Sequence, residues 1–204
     1  MDNYALAPDG VYFSVQGEGH LRGFSMTFVR LAGCSVGCPR CDTDYTKDAT
    51  HDSDTIAEMA ASVMPAGFRD RWVWVTGGEP YDRPMRPLIK AFRRRGLSVA
   101  VATSGKHRVI EPVDWCSVSY HGGYPLLQRY GHEIKLIDGL NGLDLDAFIR
   151  EYPDEETDFF YRYVQPITIE GAEDPASLER CMEFIQRHPN WSLSRQDHLA
   201  WRVR

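Results

Sequence analysis

The segment "RWVWVTGGEPYDRPMRPLIKAFRRRGLSVAVATSG", Arg71 to Gly105, contains one complete unit of strand, turn, helix and strand. "RWVWV" is an apolar run of strand length that stops at a glycine turn. "RPMRPLIKAFRRRG" reads as a helix whose basic last turn and Gly96 mark its end. "LSVAVATSG" is a second apolar strand, again closing on a small polar turn. Apolar strands joined through a helix belong to a parallel sheet, and both turns then lie at the carboxyl edge of that sheet.

The same alternation extends in both directions. Upstream, "VYFSV" and "MTFVRLAG" read as strands, and "DSDTIAEMAASVMP" as a helix with Ser and Asp capping candidates and a terminal Pro. Downstream come the strands "WCSVSY" and "EIKLIDG", the helix "LDLDAFIREY", the strand "FFYRYVQP", the helix "DPASLERCMEFIQRHP" and a last strand near "WSLS". About six strand-helix units are fewer than the eight of a complete barrel, which typically needs ~250 residues. The expected fold is α/β, a partial, open (βα)6-type barrel with abbreviated helices, in one domain spanning residues 1–204. Chemistry in such folds gathers at the carboxyl ends of the strands. The cysteine loop after "MTFVRLAG", and "TGGEP", "ATSG", "SYHGG" and "VQPIT", all fall there.

Composition narrows the function classes. A chain of 204 residues with 43% hydrophobic and 25% charged residues matches an ordinary globular protein. The formal charge of -6 argues against coating nucleic acid or an anionic membrane. No apolar run reaches membrane-spanning length, and "MDNYALAPDG" lacks a secretory signal, so a cytoplasmic location is expected. Of the five cysteines, Cys34, Cys38 and Cys41 cluster, while Cys116 and Cys181 stand apart and read as small buried hydrophobes. This is the pattern of metal ligands in a reducing compartment rather than of a disulfide framework. Trp72, Trp74 and the aromatics of "DFFYRYV" read as packing, and Arg93 to Arg95 as a complement to a helix end.

The three clustered cysteines follow CxxxCxxC in a loop kept non-helical by Gly33, Gly37 and Pro39. Thiolates suit zinc and iron-sulfur clusters, but a structural zinc site is closed by a fourth ligand, for which His20 or His51 would be the candidates. Three thiolates on a four-iron cluster leave one iron open to a small-molecule chelate. The spacing resembles the signature of the radical S-adenosylmethionine superfamily. Gly77-Gly78-Glu79-Pro80 supports this: its glycines permit close backbone approach, and its Glu can accept hydrogen bonds from an ammonium group.

"FSVQGEGHLRG", "TFVRLAGC", "CDTDYT", "TGGEP", "EIK", "QPIT" and "LSRQDHLAWRVR" together resemble the 7-carboxy-7-deazaguanine synthase family, over the chain from about residue 11 onward. The resemblance implies conversion of 6-carboxy-5,6,7,8-tetrahydropterin to 7-carboxy-7-deazaguanine with loss of ammonia, on the route to queuosine and related 7-deazapurines. It implies a 4Fe-4S cluster on Cys34, Cys38 and Cys41, S-adenosyl-L-methionine, and a magnesium ion on Thr43. Substrate contacts map to Val15, Gln16, Gly17, Glu18, Arg30, Thr76, His198 and Arg204, the last through a chain-terminal carboxylate. Cofactor contacts map to Arg40, Asp42, Gly78, Glu79, Ser104, Ser119, Tyr120, His121, and Gln165, Pro166, Ile167 and Thr168. Arg30 has a direct chemical reason, since a guanidinium grips a carboxylate in a two-pronged fork.

Two turns depart from the family pattern. Glu-Thr-Asn-Gly appears as Ala102-Thr103-Ser104-Gly105, and Ser-Pro-Lys as Ser119-Tyr120-His121. The resemblance further implies a reducing partner such as a flavodoxin, a homodimer, and no direct contact with nucleic acid or membrane. The rival readings are a small activating enzyme that places a glycyl radical on a partner protein, and a noncatalytic metal-binding interaction module.

Overall fold

The computed structural model describes residues 2–39, 41 and 44–203. Its elements in chain order are β1 (Asn3–Val15), β2 (Ser25–Leu31), β3 (Ala49–Asp52), α1 (Ser53–Ser62), β4 (Trp72–Gly77), α2 (Arg86–Arg94), β5 (Ser98–Thr103) and β6 (Trp115–Tyr120). They continue with β7 (Tyr130–Ile137), α3 (Leu145–Glu151), β8 (Asp158–Gln165), β9 (Thr168–Ile169), β10 (Ala172–Glu173), α4 (Pro175–Arg187), β11 (Ser192–Leu193) and α5 (Asp197–Trp201).

One nine-stranded sheet runs in the order β11-β8-β7-β6-β5-β4-β2-β1-β3. From β2 to β11 every neighbour is parallel. Strands β1 and β3 pair antiparallel at the β2 edge. The result is the expected open, mostly parallel arrangement, with an antiparallel border. The helices are abbreviated to the point of absence at two crossings: among the described residues, loops alone join β5 to β6 and β6 to β7. Pro112 in the first loop, and Gly122, Gly123 and Pro125 in the second, disfavour a helix there.

The helices that do form begin at polar caps. Asp52 accepts from the Thr55 N–H at 2.8 Å at the start of α1, Asp144 from the Ala147 N–H at 2.6 Å for α3, and Asp174 from the Ser177 N–H at 2.9 Å for α4. The arginines at the end of α2 reach neighbouring acids, Arg93 to Asp114 and Arg94 to Asp54.

Alternation along the parallel strands divides the molecule. Outward-facing Val29, Leu31, Val73, Val75, Val99 and Val101 pack with Ile56, Leu88 and Phe92 of α1 and α2. Val118, Ile134, Leu136 and Val164 form a second outer core with Phe148, Phe184 and Trp191. On the inner face, Met26, Phe28, Trp74 and Ala100 form a third cluster, against which Tyr12, Trp72 and Trp115 pack. Trp72 and Trp74 therefore pack as the sequence suggests, and Trp74 also faces the cavity described below. Cys116 and Cys181 are buried, and burial pushes each thiol up to about 12. The aromatics of β8 divide: Phe159 is buried, whereas Phe160 is 76% exposed, so the packing expectation fails at Phe160.

Sequence reading shortened β1 at its first half. Pro8-Asp9-Gly10 has the composition of a turn, yet the strand continues through it as an irregularity between the Leu6–Leu31 and Val11–Val29 pairs, with Asp9 at φ 51°.

Candidate active site

The carboxyl ends of the parallel strands open onto a cavity of about 730 Å³. Cys34, Cys38 and Cys41 line it at the loop that follows β2, together with Arg30, Thr76, Gly78, Glu79, Ser104, Ser119 and His121. Val15, Gln16, Gly17 and Glu18 reach it from the end of β1, Gln165, Pro166, Ile167 and Thr168 from the end of β8, and His198 from α5. Sequence-predicted residues from seven separate segments thus meet on one surface.

Tyr120 is the exception. Between inward-facing Ser119 and His121 it points the other way, buried in the second outer core, with its hydroxyl donating to the Tyr124 carbonyl at 2.5 Å. Burial raises its phenol to about 12. Strand alternation requires this once its two neighbours face the cavity. Arg40, Asp42, Thr43 and Arg204 lie outside the described residues.

The cysteine loop is tied down from both sides. Gly33 adopts φ 79° and Gly37 φ 65°, conformations that glycine enters without penalty. The Gly33 N–H donates to the Tyr45 carbonyl at 2.8 Å, and Arg83 donates to the Gly33 carbonyl at 3.2 Å. Asp82 accepts from both the Ser35 N–H at 2.7 Å and the Ser35 hydroxyl at 2.5 Å, while Lys106 donates to the Ser35 carbonyl at 2.9 Å. Burial opposes the Asp82 charge, but the bonds from Ser35 and His107 outweigh it and hold the carboxyl below its usual pKa.

The glycines of the "TGGEP" turn permit a close approach, and what approaches is the cysteine loop itself. The Gly78 N–H donates to the Leu31 carbonyl at 2.7 Å. A Cβ on Gly78 would run into the Gly33 carbonyl group, with the carbonyl carbon only 2.6 Å away. Glu79, expected to accept from an ammonium, is 2% exposed and already receives four donors from its own chain. These are the Tyr81 N–H at 3.0 Å, the Thr103 hydroxyl at 2.7 Å, the Ser104 N–H at 2.8 Å and the Ser104 hydroxyl at 2.5 Å. Glu79 therefore fastens the β4 turn to the β5 turn.

The departure at Ser119-Tyr120-His121 brings an imidazole to the cysteine loop. His121 Nδ1 lies 3.2 Å from Cys38 Sγ and its Nε2 lies 3.2 Å from Ser119 Oγ. Asn141 Nδ2 approaches the same sulfur at 3.5 Å.

The sequence makes "EIKLIDG" a strand and "EIK" part of the family likeness, but gives Glu133 and Lys135 no site role. Glu133 and Lys135 face the cavity, while Ile134 and Leu136 between and beyond them belong to the outer core. Lys135 pairs directly with Glu18, and Gln196 Nε2 donates to the other Glu18 oxygen at 2.8 Å. Glu133 accepts from the His20 N–H at 2.8 Å, and its burial pushes its carboxyl upward despite that bond. Burial lowers Lys135 to about 7. The "EIK" segment did contain a signal: charges two residues apart in an otherwise apolar parallel strand.

The donor set decides which metal chemistry fits. Among the described residues, no three His, Cys, Asp or Glu side chains are placed to hold a single ion. His20 stacks on Tyr161 at 3.6 Å, and His51 sits on the β3 border opposite Tyr4, so neither completes a zinc site with the cysteines. Three cysteine sulfurs on one cavity rim, with neither His20 nor His51 beside them, suit an iron-sulfur cluster, in which each takes a different iron.

An open, mostly parallel α/β sheet with a three-cysteine loop at the carboxyl end of its first parallel strand defines the class: a radical S-adenosylmethionine enzyme. Comparison with known proteins takes this further. No family model matches the chain. It is 31% identical over 205 residues to the 7-carboxy-7-deazaguanine synthase of Burkholderia multivorans, covering 92% of this chain and 94% of that one. It is 30% identical over 217 residues to the synthase of Escherichia coli K12, again covering 92% and 94%. The crystal structure of QueE from Escherichia coli matches with a TM-score of 0.70 and 25% identity, over 95% of this chain and 94% of that chain. The chain belongs to the 7-carboxy-7-deazaguanine synthase family.

Proposed function

We propose that this chain, acting as one catalytic domain, converts 6-carboxy-5,6,7,8-tetrahydropterin to 7-carboxy-7-deazaguanine with release of ammonia. The observation that carries the reading is a single cavity shared by the three loop cysteines and the residues suited to a carboxylated pterin, Arg30, Thr76, His198 and the Gln16 to Glu18 segment. Cys34, Cys38 and Cys41 would hold a 4Fe-4S cluster, which with S-adenosylmethionine supplies the radical chemistry for hydrogen abstraction at C6. Arg30 presents a fork of N–H donors to the substrate carboxylate. The Gln16 to Glu18 segment and His198 hold the pterin edge, and the apolar floor around Phe28 and Trp74 shields the ring from water.

Gly78, Ser104, Ser119, His121 and residues 165–168 line the part of the cavity assigned to S-adenosylmethionine. Thr43 is the proposed magnesium ligand, on family likeness. An external donor such as a flavodoxin would deliver the electron, and the proposed assembly is a homodimer. No described helix is long and apolar enough to cross a membrane.

The test is anaerobic reconstitution with iron and sulfide, followed by reaction with the carboxypterin, S-adenosylmethionine, magnesium and a reductant. The expected result is a brown protein and a product of the mass of 7-carboxy-7-deazaguanine. A brown protein that cleaves S-adenosylmethionine but yields no deazaguanine would favour a glycyl-radical activating enzyme. A colourless protein holding one zinc would favour a noncatalytic module.

A further inference from the structure

We propose that Lys135 is the proton donor to the ammonia that departs during ring contraction, with Glu18 as the carboxylate base beside it; this rests on the substrate reading above.

Losing ammonia from a ring-contracted amine requires a proton at the leaving nitrogen and a base for the hydrogen on the adjacent carbon. Among the described residues that line the cavity, the basic side chains are those of Arg30 and Lys135, and the imidazoles those of His121 and His198. Arg30 does not release its proton in water-accessible pH ranges. His121 is set against Cys38 and Ser119, within the thiolate rim. His198 lies against the Gly17 backbone, at the end of the pterin-binding segment. Lys135 projects from the rigid β7 wall into the same compartment, with its side chain 8% exposed and Glu18 19% exposed. Gln196 fixes one Glu18 oxygen at 2.8 Å and leaves the other on Lys135. A lysine lowered by burial to about 7 can give up and regain a proton near neutrality, which is the property a general acid needs.

The step balances within the pair. The carbon–nitrogen bond breaks with its electrons on nitrogen, which takes a proton from the Lys135 ammonium and leaves as ammonia. The adjacent carbon–hydrogen bond breaks, its electron pair becomes the new ring double bond, and its proton passes to Glu18. Glu18 then returns that proton to the neutral Lys135 amine across their direct contact. No oxidant or reductant is consumed.

The deciding variant is Lys135→Arg, which keeps the charge and the Glu18 pairing but holds its proton. Deazaguanine formation is expected to fall about 100-fold to 10,000-fold, the usual range for a lost general acid. Carboxypterin affinity, read by titration, should change less than about threefold. In single-turnover samples an isomer with the mass of the substrate but a different retention should accumulate, as the amine that has contracted without losing ammonia. A structural ion pair would produce no such isomer. Glu18→Gln provides the second test if the arginine variant does not fold: its kcat should fall with the same isomer retained.

Product formation by Lys135→Arg within about threefold of wild type would overturn the inference. So would a loss that tracks weaker pterin binding without the isomer, or accumulation of the isomer in His198→Gln rather than in the lysine variant. Wild-type protein run alongside separates the two levels. If it makes no deazaguanine, the substrate reading fails; if it does and Lys135→Arg is unimpaired, only the assignment of the acid fails.

Discussion

Along β7 the two faces of one strand are made of opposite chemistry. Ile134 and Leu136 are fully buried among the side chains of α3, α4 and their neighbours, whereas Glu133 and Lys135 carry ionisable groups into the cavity. The same division runs across the sheet, with Val29 and Leu31 outside and Arg30 inside on β2, and with Val75 outside and Thr76 inside on β4. The outer face holds the fold through apolar burial, and any well-packed residue of similar size serves there. On the inner face Phe28 and Trp74 stay packed, while Arg30, Thr76, Glu133 and Lys135 carry polar and charged groups into the cavity. Stability and chemistry are therefore separable by residue parity, and substitutions on the two faces should fail in different ways.

The largest effect is expected on the inner face. Cys38→Ala should reduce product formation to background and sharply lower iron bound per chain in anaerobic preparations, with little change in the urea midpoint. A brown, active Cys38→Ala protein would break the comparison. On the outer face Leu136→Ala should cost about 2–5 kcal/mol in urea unfolding while leaving iron loading intact. Loss of iron without loss of stability would show that the faces are not independent.

A third prediction sharpens the contrast through pH. Lys135, lowered to about 7, holds fewer protons in the folded chain than in the unfolded chain between pH 7 and its ordinary value near 10.5. Stability from this group therefore rises as pH increases through that window. Lys135→Met removes the dependence. Relative to this variant, wild type should gain on the order of 1–3 kcal/mol between pH 7 and 9.5 in paired urea titrations. The smallest effect belongs to neither face. Arg129 and Glu156 form a solvent-exposed pair at 3.3 Å, and Glu156→Gln should shift unfolding by less than about 0.5 kcal/mol.

The sequence made the framework legible because parallel strands buried outside are dense in Val and Ile, and because glycine turns punctuate them. The cysteine loop and "TGGEP" could be placed at one edge on that basis alone. What escaped depends on three-dimensional placement. The saturation of Glu79 comes from Thr103 and Ser104 on a neighbouring strand. The outward turn of Tyr120 follows from parity, which a run of matched family positions does not express. Lys135 was visible as part of "EIK" but had no role until Glu18, 117 residues away, came into contact with it. The first half of β1 was obscured because Pro-Asp-Gly composition is shared by turns and by strand irregularities.

The Gln196 bond to Glu18 spans 178 positions of chain, and the Ser194 hydroxyl receives the Gly19 N–H across 175. One wall of the pocket is therefore sewn from opposite extremes of the polypeptide. Neither contact belongs to the apolar clusters outside the sheet. Removing the chain from Ser194 onward would strip Glu18 and the Gly19 N–H of these partners, while the apolar clusters outside the sheet would keep their side chains.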